Sequence, residues 1–123
     1  MEHWYAVHTK ARDEKLAEEN LQRQGFATFL PRIKGSKRRR GRWLEVIEPL
    51  FPGYLFARLD LLIQDTSPIR STRGVLGLVR FGGNPAPVPP GLMEQLMAAT
   101  ASEDGVVRQE HLFQPGDQVE IIT

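Results

Sequence analysis

The sequence contains no cysteine among its 123 residues. This absence excludes disulfide bonds, thiolate catalysis and cysteine-ligated zinc, and it is typical of a protein in a reducing cytosol. Long apolar runs are also absent, since none approaches the roughly 20 residues that a membrane-spanning helix needs. The N-terminus carries neither the basic region nor the apolar segment of a signal peptide. We therefore expect a cytoplasmic protein.

The residue patterns of common catalytic and cofactor sites are lacking as well. There is no G-x-S-x-G, P-loop, G-x-G-x-x-G or HExxH pattern. The three histidines are scattered along the chain: His3, His8 and His111. Asp13 and Glu14 stand at a predicted helix start, where the helix dipole favours acidic residues. We expect no catalytic residue, no cofactor and no metal, and a phosphohydrolase that holds its anion with residues 10–12 is a minor alternative.

Charge is balanced over the whole chain but not along it. The formal net charge is +1, from 16 basic and 15 acidic residues, yet seven of the basic residues lie between Arg32 and Arg42 with no acid among them. Such a run is either a solvated loop or a contact for phosphates. For Trp43, taken as the root of this arm, the alternatives are stacking on a nucleobase and local packing, and local packing is expected. A second basic set follows a short helix and either complements the helix dipole or forms a nucleic-acid surface with Lys10 and Arg23: Arg70, Arg73 and Arg80.

Periodicity predicts four main strands and three helices. The strands are residues 4–9, 26–30, 54–60 and 76–81, and the helices are residues 12–24, residues 67–72 (Ser67 as N-cap and Pro68 at its first position) and a segment that begins at Pro90. The basic run forms a protruding hairpin, and Val106 and Val107 add a short extended piece. This order predicts an α+β fold, a ferredoxin-like α/β sandwich with an antiparallel sheet, three helices and a protruding basic β-hairpin.

Apolar side chains around the turn at residues 51–54 exceed what a small core obviously requires. Either they are all buried, or several share an exposed sheet face and form a partner-binding patch. The residues concerned are Phe51, Tyr54, Val79 and Phe81.

Several blocks, in order along the chain, resemble the NusG family of transcription elongation factors, and the short hairpin resembles its RfaH-type specialised paralogs. The blocks are Trp4-Tyr5, His8-Thr9-Lys10, Phe51-Pro52-Gly53-Tyr54-Leu55-Phe56, Thr72-Arg73-Gly74-Val75, Val79-Arg80-Phe81-Gly82 and Phe113-Gln114-Pro115-Gly116-Asp117-Gln118-Val119. The resemblance implies that residues 1–105 form a NusG N-terminal (NGN) domain. It also implies that the protein binds RNA polymerase in the bacterial cytoplasm and suppresses pausing or termination.

The resemblance further implies three sets of contacts. An apolar patch would bind the β′ clamp helices of RNA polymerase: Ala6, His8, Phe51, Tyr54, Val79 and Phe81. A segment before the second helix would meet the gate loop of the β subunit: Asp65, Thr66, Ser67 and Pro68. A basic face would touch non-template and upstream DNA in the elongation complex: Lys10, Arg23, Gln24, Arg40, Thr72 and Arg73.

Residues 106–123 resemble a linker and the truncated start of a KOW domain, a small β-barrel. In the family that domain carries contacts to ribosomal protein S10 or to Rho, so we expect this chain to lack both partners. A free-standing RNA- or ribosome-binding module remains the alternative, although residues 76–81 lack the paired aromatic residues of an RNA-binding sheet.

Overall fold

The computed structural model describes residues 1–100 and the backbone of residues 106–108. Its strands are β1 (His3–Thr9), β2 (Ala27–Phe29), β3 (Arg32–Arg39), β4 (Arg42–Pro49), β5 (Tyr54–Leu59), β6 (Val75–Leu78), β7 (Arg80–Phe81), β8 (Asn84–Pro85) and β9 (Val106–Arg108). Its helices are α1 (Glu14–Arg23), α2 (Ser67–Arg70) and α3 (Pro90–Ala99). Residues 101–105, the end of the predicted NGN domain, and residues 109–123 of the predicted linker and KOW segment, with His111, lie outside the described residues.

A four-stranded antiparallel sheet forms the centre of the fold. Its strand order is β2-β5-β1-β6, so the two central strands are the first and third strands of the sheet in chain order. The helices α1 and α2 each connect strands that are not neighbours in this sheet. This is the split βαβ arrangement of ferredoxin-like folds, and the predicted α+β class is confirmed.

One face of the sheet packs against α1 and α2. Alternation along β1 directs Tyr5 and Val7 to this side, where both are buried. Ala17 and Leu21, four positions apart on α1, meet them in the main core. The core also contains Ile69 of α2, which explains why a helix of only four residues is held in place.

The opposite face of the sheet is covered only in part. Met93 and Leu96 of α3 pack with Phe56 and Leu50 in a second apolar cluster, and Trp4 joins its edge. The two faces of β1 therefore meet different surroundings, the main core on one side and the second cluster on the other. The end of β1 that carries His8 is exposed on this second face.

The basic run forms the predicted hairpin. Its strands β3 and β4 pair over eight residues each, from Arg32 opposite Pro49 to Arg39 opposite Arg42. Arg40 and Gly41 connect them, with φ of 51° and 77°, in the two-residue type of turn that matches strand twist. Trp43 therefore lies beside the tip and is 70% exposed, so the expectation that it packs at the root was wrong.

The predicted extended piece near Val106 is strand β9, which pairs in parallel with the root of β3. The strand predicted at residues 76–81 is divided. After Gly77 (φ 154°) and a register irregularity on β1, strand β6 ends at Leu78, and β7 turns away to pair with β8. Val79 still donates its backbone N–H to the Ala6 carbonyl oxygen at 2.9 Å.

The predicted start of α2 needs a small correction. Ser67 is the first helical residue and Thr66 precedes it as the N-cap, without a capping side chain. Asp65 takes over that role, because its Oδ1 accepts hydrogen bonds from the Ser67 N–H at 3.0 Å and the Ser67 hydroxyl at 2.7 Å. The helix ends at Arg70 rather than at Thr72.

Candidate functional site

The exposed part of the second sheet face carries a stacked pair of rings. His8 lies opposite Tyr54 in the β1–β5 pairing, and their rings stack at 5.0 Å with an interplanar angle of 16°. His8 is exposed, and Tyr54 is 39% exposed. Strand β6 places Gly77 opposite His8 on the other side, so no side chain from that strand covers the pair.

We call the six predicted clamp-helix residues the sheet patch: Ala6, His8, Phe51, Tyr54, Val79 and Phe81. Ala6 and Val79 are half-buried and are joined by their backbone hydrogen bond. Phe81, on the small hairpin, is 72% exposed. Phe51 is half-buried, because its ring packs edge-on against Phe56 at 6.0 Å and 90°. Of the six predicted residues, Ala6 and Phe51 pack against the second core cluster, whereas His8, Tyr54 and Phe81 are exposed.

The bend at Phe51-Pro52-Gly53-Tyr54 is held by α1 and β1. Gly53 adopts φ of 84°, which favours glycine. Its N–H donates to Glu14 Oε2 at 2.9 Å, and its carbonyl oxygen accepts the Thr9 N–H at 2.8 Å. The bend is thus fixed on both sides, and it sets the direction in which Tyr54 enters β5.

Glu14 is a residue whose role the sequence argument missed, because it was assigned to the helix dipole. It is only 5% exposed, although it is acidic. A signal was present in the sequence: Glu14 precedes Ala17 by three positions and Leu21 by seven, so all three share one helix face. A carboxylate on the buried face of a helix needs a polar partner, and here the partner is Gly53.

Four of the predicted DNA-binding residues are exposed: Arg23 and Gln24 at the end of α1, Lys10 in the turn before α1, and Arg73 in the loop before β6. We call them the helix-end surface. The Lys10 N–H donates to the Gly74 carbonyl oxygen at 2.8 Å, which brings Lys10 beside Arg73. Gln24 Nε2 donates to Thr72 Oγ1 at 2.8 Å, which joins the two elements by their side chains.

Thr72 and Arg40, the other two predicted residues, are placed differently. Thr72 is 6% exposed, and its hydroxyl donates to the Pro68 carbonyl oxygen at 2.9 Å. Because the same hydroxyl oxygen accepts the hydrogen bond from Gln24 Nε2, Thr72 orients the Gln24 side chain. Gly74 explains the tight packing here, since an added Cβ would lie 3.1 Å from the Ala17 nitrogen. Arg40 is exposed at the hairpin turn, on a different element from the helix-end surface.

The segment predicted to meet the gate loop is ordered by its own side chains. The two hydrogen bonds from Ser67 to Asp65 lower the pKa of that carboxyl below its ordinary value. Asp65 and Ser67 are exposed, and with Thr66 they line one side of a shallow groove whose other side includes Gly77 and Arg80. This segment therefore borders the same end of the sheet as β6 and β7.

Within residues 1–100, no cluster of three or more metal-ligating side chains occurs. The described helices include none that is long and apolar enough to cross a membrane.

Comparison with known proteins shows which family the chain belongs to. The family model described as "Transcription termination factor nusG" matches residues 2–97. The chain belongs to the NusG family. Proteins of this family are transcription elongation and antitermination factors rather than enzymes, and they act with RNA polymerase.

Two proteins named NusG agree with this assignment. The transcription termination/antitermination protein NusG of Thermus thermophilus is 28% identical over 98% of this chain and 74% of its own length. The protein of the same name from Staphylococcus epidermidis is 28% identical over 76% of this chain and 56% of its own length. A solved structure, "Domain interaction in Thermotoga maritima NusG", is similar with a TM-score of 0.49 and 26% identity, over 79% of this chain and 54% of that one.

Proposed function

We propose that this NusG-family protein suppresses pausing or termination by binding the β′ clamp helices of RNA polymerase with its sheet patch. The observation that supports this most directly is the uncovered His8–Tyr54 stack on a sheet whose other face is sealed by helices. An apolar surface of this kind, rimmed by polar residues, is typical of a protein-binding site. Burial of such area contributes roughly 25 cal/mol per Å².

The two remaining surfaces supply orientation in this proposal. The segment at residues 65–68 contacts the gate loop of the β subunit, and its internal hydrogen bonds present it in one conformation before binding. The helix-end surface and Arg40 contact non-template and upstream DNA, with Thr72 as a positioning residue for Gln24. Charged contacts of this type position a protein on nucleic acid and accelerate association.

Tyr54 is the best residue for a test. Replacing Phe51 would also remove its packing against Phe56, whereas Tyr54 is 39% exposed and its ring stacks on the exposed His8. We expect Tyr54→Ala to weaken co-elution with nucleic-acid-free core RNA polymerase about 30-fold, since central aromatic anchors contribute about 2 kcal/mol or more.

The matched control is Trp43→Ala, which removes a larger and more exposed aromatic side chain outside the patch. It should leave polymerase binding unchanged. Wild-type binding by Tyr54→Ala, with thermal denaturation showing both variants folded, would contradict the docking surface. A free-standing RNA- or ribosome-binding module would not co-elute with polymerase in any of these samples.

A further inference from the structure

The tip of the β3–β4 hairpin combines an exposed indole with unpaired positive charge. We define the hairpin tip as residues 38–43, which are Arg38, Arg39, Arg40, Gly41, Arg42 and Trp43. The acids of the hairpin lie nearer its root, where Glu45 pairs with Lys34 and Glu48 pairs with Lys37. Among the described residues, none of the four tip arginines takes part in an ion pair.

Trp43 is presented with its ring free. It lies directly opposite Arg38, one pair away from the turn, and is 70% exposed. Within the part of the chain that the structure describes, no aromatic ring or guanidinium stacks on this indole. The two-residue turn and the regular pairing hold the side chain at a fixed place beside Arg38, its cross-strand partner on the same face of the hairpin.

The exposed apolar residues of the hairpin do not form one strip that a protein could cover. Trp43 and Leu44 are adjacent in β4 and therefore point to opposite faces. Ile47 shares a face with Trp43, but it lies four residues away, which is about 13 Å along a strand, with the ion-paired Glu45 between them. A single indole among arginines is instead the combination that binds a nucleobase beside its phosphates.

We propose that the hairpin tip binds single-stranded nucleic acid, with one unpaired base stacked on Trp43 and its flanking phosphates held by Arg38 and by Arg40 of the turn. Stacking needs an unpaired base, since a duplex does not expose the faces of its bases to a side chain. It does not select the sequence, because every base has a π face. This contact extends the DNA contacts proposed above, but it involves no contact with polymerase and is tested without it.

The test uses the full chain and a fluorescein-labelled oligonucleotide of twelve thymidines, with fluorescence anisotropy measured at several low salt concentrations. We expect Trp43→Leu to weaken binding by at least about fivefold, the lower limit for one stacked base, while Trp43→Phe retains most of it. The dependence of affinity on salt should keep its slope in Trp43→Leu, since no phosphate contact is lost. In Arg38→Ala the slope should fall by about 0.7, the value for one phosphate contact on a single strand.

Leu44→Ala is the matched control, because it truncates an exposed apolar side chain on the opposite face, and it should bind as the wild type does. The same measurements with an oligouridine and with a thymidine–adenosine duplex show whether the tip binds single-stranded DNA, single-stranded RNA or duplex DNA. Loss in Trp43→Leu with either single strand, but not with the duplex, supports the proposal. Equal binding by Trp43→Leu and wild type, an equal loss with the duplex, or no binding to either single strand would overturn it.

Discussion

The hydrogen bond between Glu14 and Gly53 should be essential to the bend that presents the sheet patch. A hydrogen bond to a charged group contributes about 1.5–3 kcal/mol, and the Glu14 carboxylate is nearly fully buried where it accepts this one at 2.9 Å. Replacement by alanine leaves the Gly53 N–H without its partner and removes an acid from the first turn of α1. The better helix propensity of alanine returns only a few tenths of a kcal/mol. We therefore expect Glu14→Ala to lower the free energy of unfolding by about 2 kcal/mol.

For a domain of about 100 residues, a loss of this size lowers the melting temperature by about 8–16 °C. The measurement is thermal and urea denaturation followed by circular dichroism, with Glu19→Ala as the control, because Glu19 lies on the exposed face of the same helix. Glu14→Gln keeps an acceptor oxygen and should lose about half as much. Polymerase binding should fall in the same order, because a loosened bend no longer fixes Tyr54. If Glu14→Ala were as stable as Glu19→Ala, the bend would be held by the β1 hydrogen bond alone.

Two further predictions concern the root and the tip of the hairpin. Burial raises the pKa of Glu18 above its ordinary value, although Arg32 nearby opposes the shift. A carboxyl whose pKa is raised in the folded state stabilises the fold at low pH, and this contribution is lost as the pH rises through the folded pKa. We therefore expect Glu18→Gln to be more stable than wild type at pH 7. Urea denaturation at a series of pH values should show that the difference vanishes below about pH 4. Arg40 has φ of 51°, a backbone conformation that asparagine tolerates better than arginine. Arg40→Asn should therefore raise the free energy of unfolding by up to about 1 kcal/mol in the same assay, and it should weaken oligonucleotide binding. Unchanged stability would refute the first expectation, and unchanged binding would refute the second.

Much of the fold follows from local patterns. Alternation in β1 places Tyr5 and Val7 on one face and His8 on the other, and the structure has the same division, with Tyr5 and Val7 in the main core. The Gly41 turn and the alternating residues of β4 likewise indicated a hairpin. Its turn position was less clear, because a run of arginines gives no apolar register, and Trp43 was consequently placed at the wrong end.

The candidate site was less predictable, because it depends on contacts between distant parts of the chain. The sequence could not show whether Phe51 and Tyr54 are buried or exposed, since that depends on how far α3 extends across the sheet. The sequence, with Arg70 and Arg73 on either side, indicates a surface hydroxyl at Thr72. In the structure Thr72 is buried, because Gly74 lets this segment approach α1 closely. Glu14 could be recognised only through its helical spacing to core residues, and its partner lies 39 positions away.

The sheet patch and the helix-end surface are connected to each other through these hydrogen bonds. Glu14 ties the start of α1 to the bend before β5, and Thr9 ties the end of β1 to the same glycine. One residue further on, the Lys10 N–H joins the loop that carries Arg73. The sheet patch and the helix-end surface are therefore fixed to each other by short backbone connections, so that docking of one sets the position of the other. The hairpin tip, at the end of eight-residue strands, has no such connection among the described residues, and its nucleic-acid contact must depend on its own side chains.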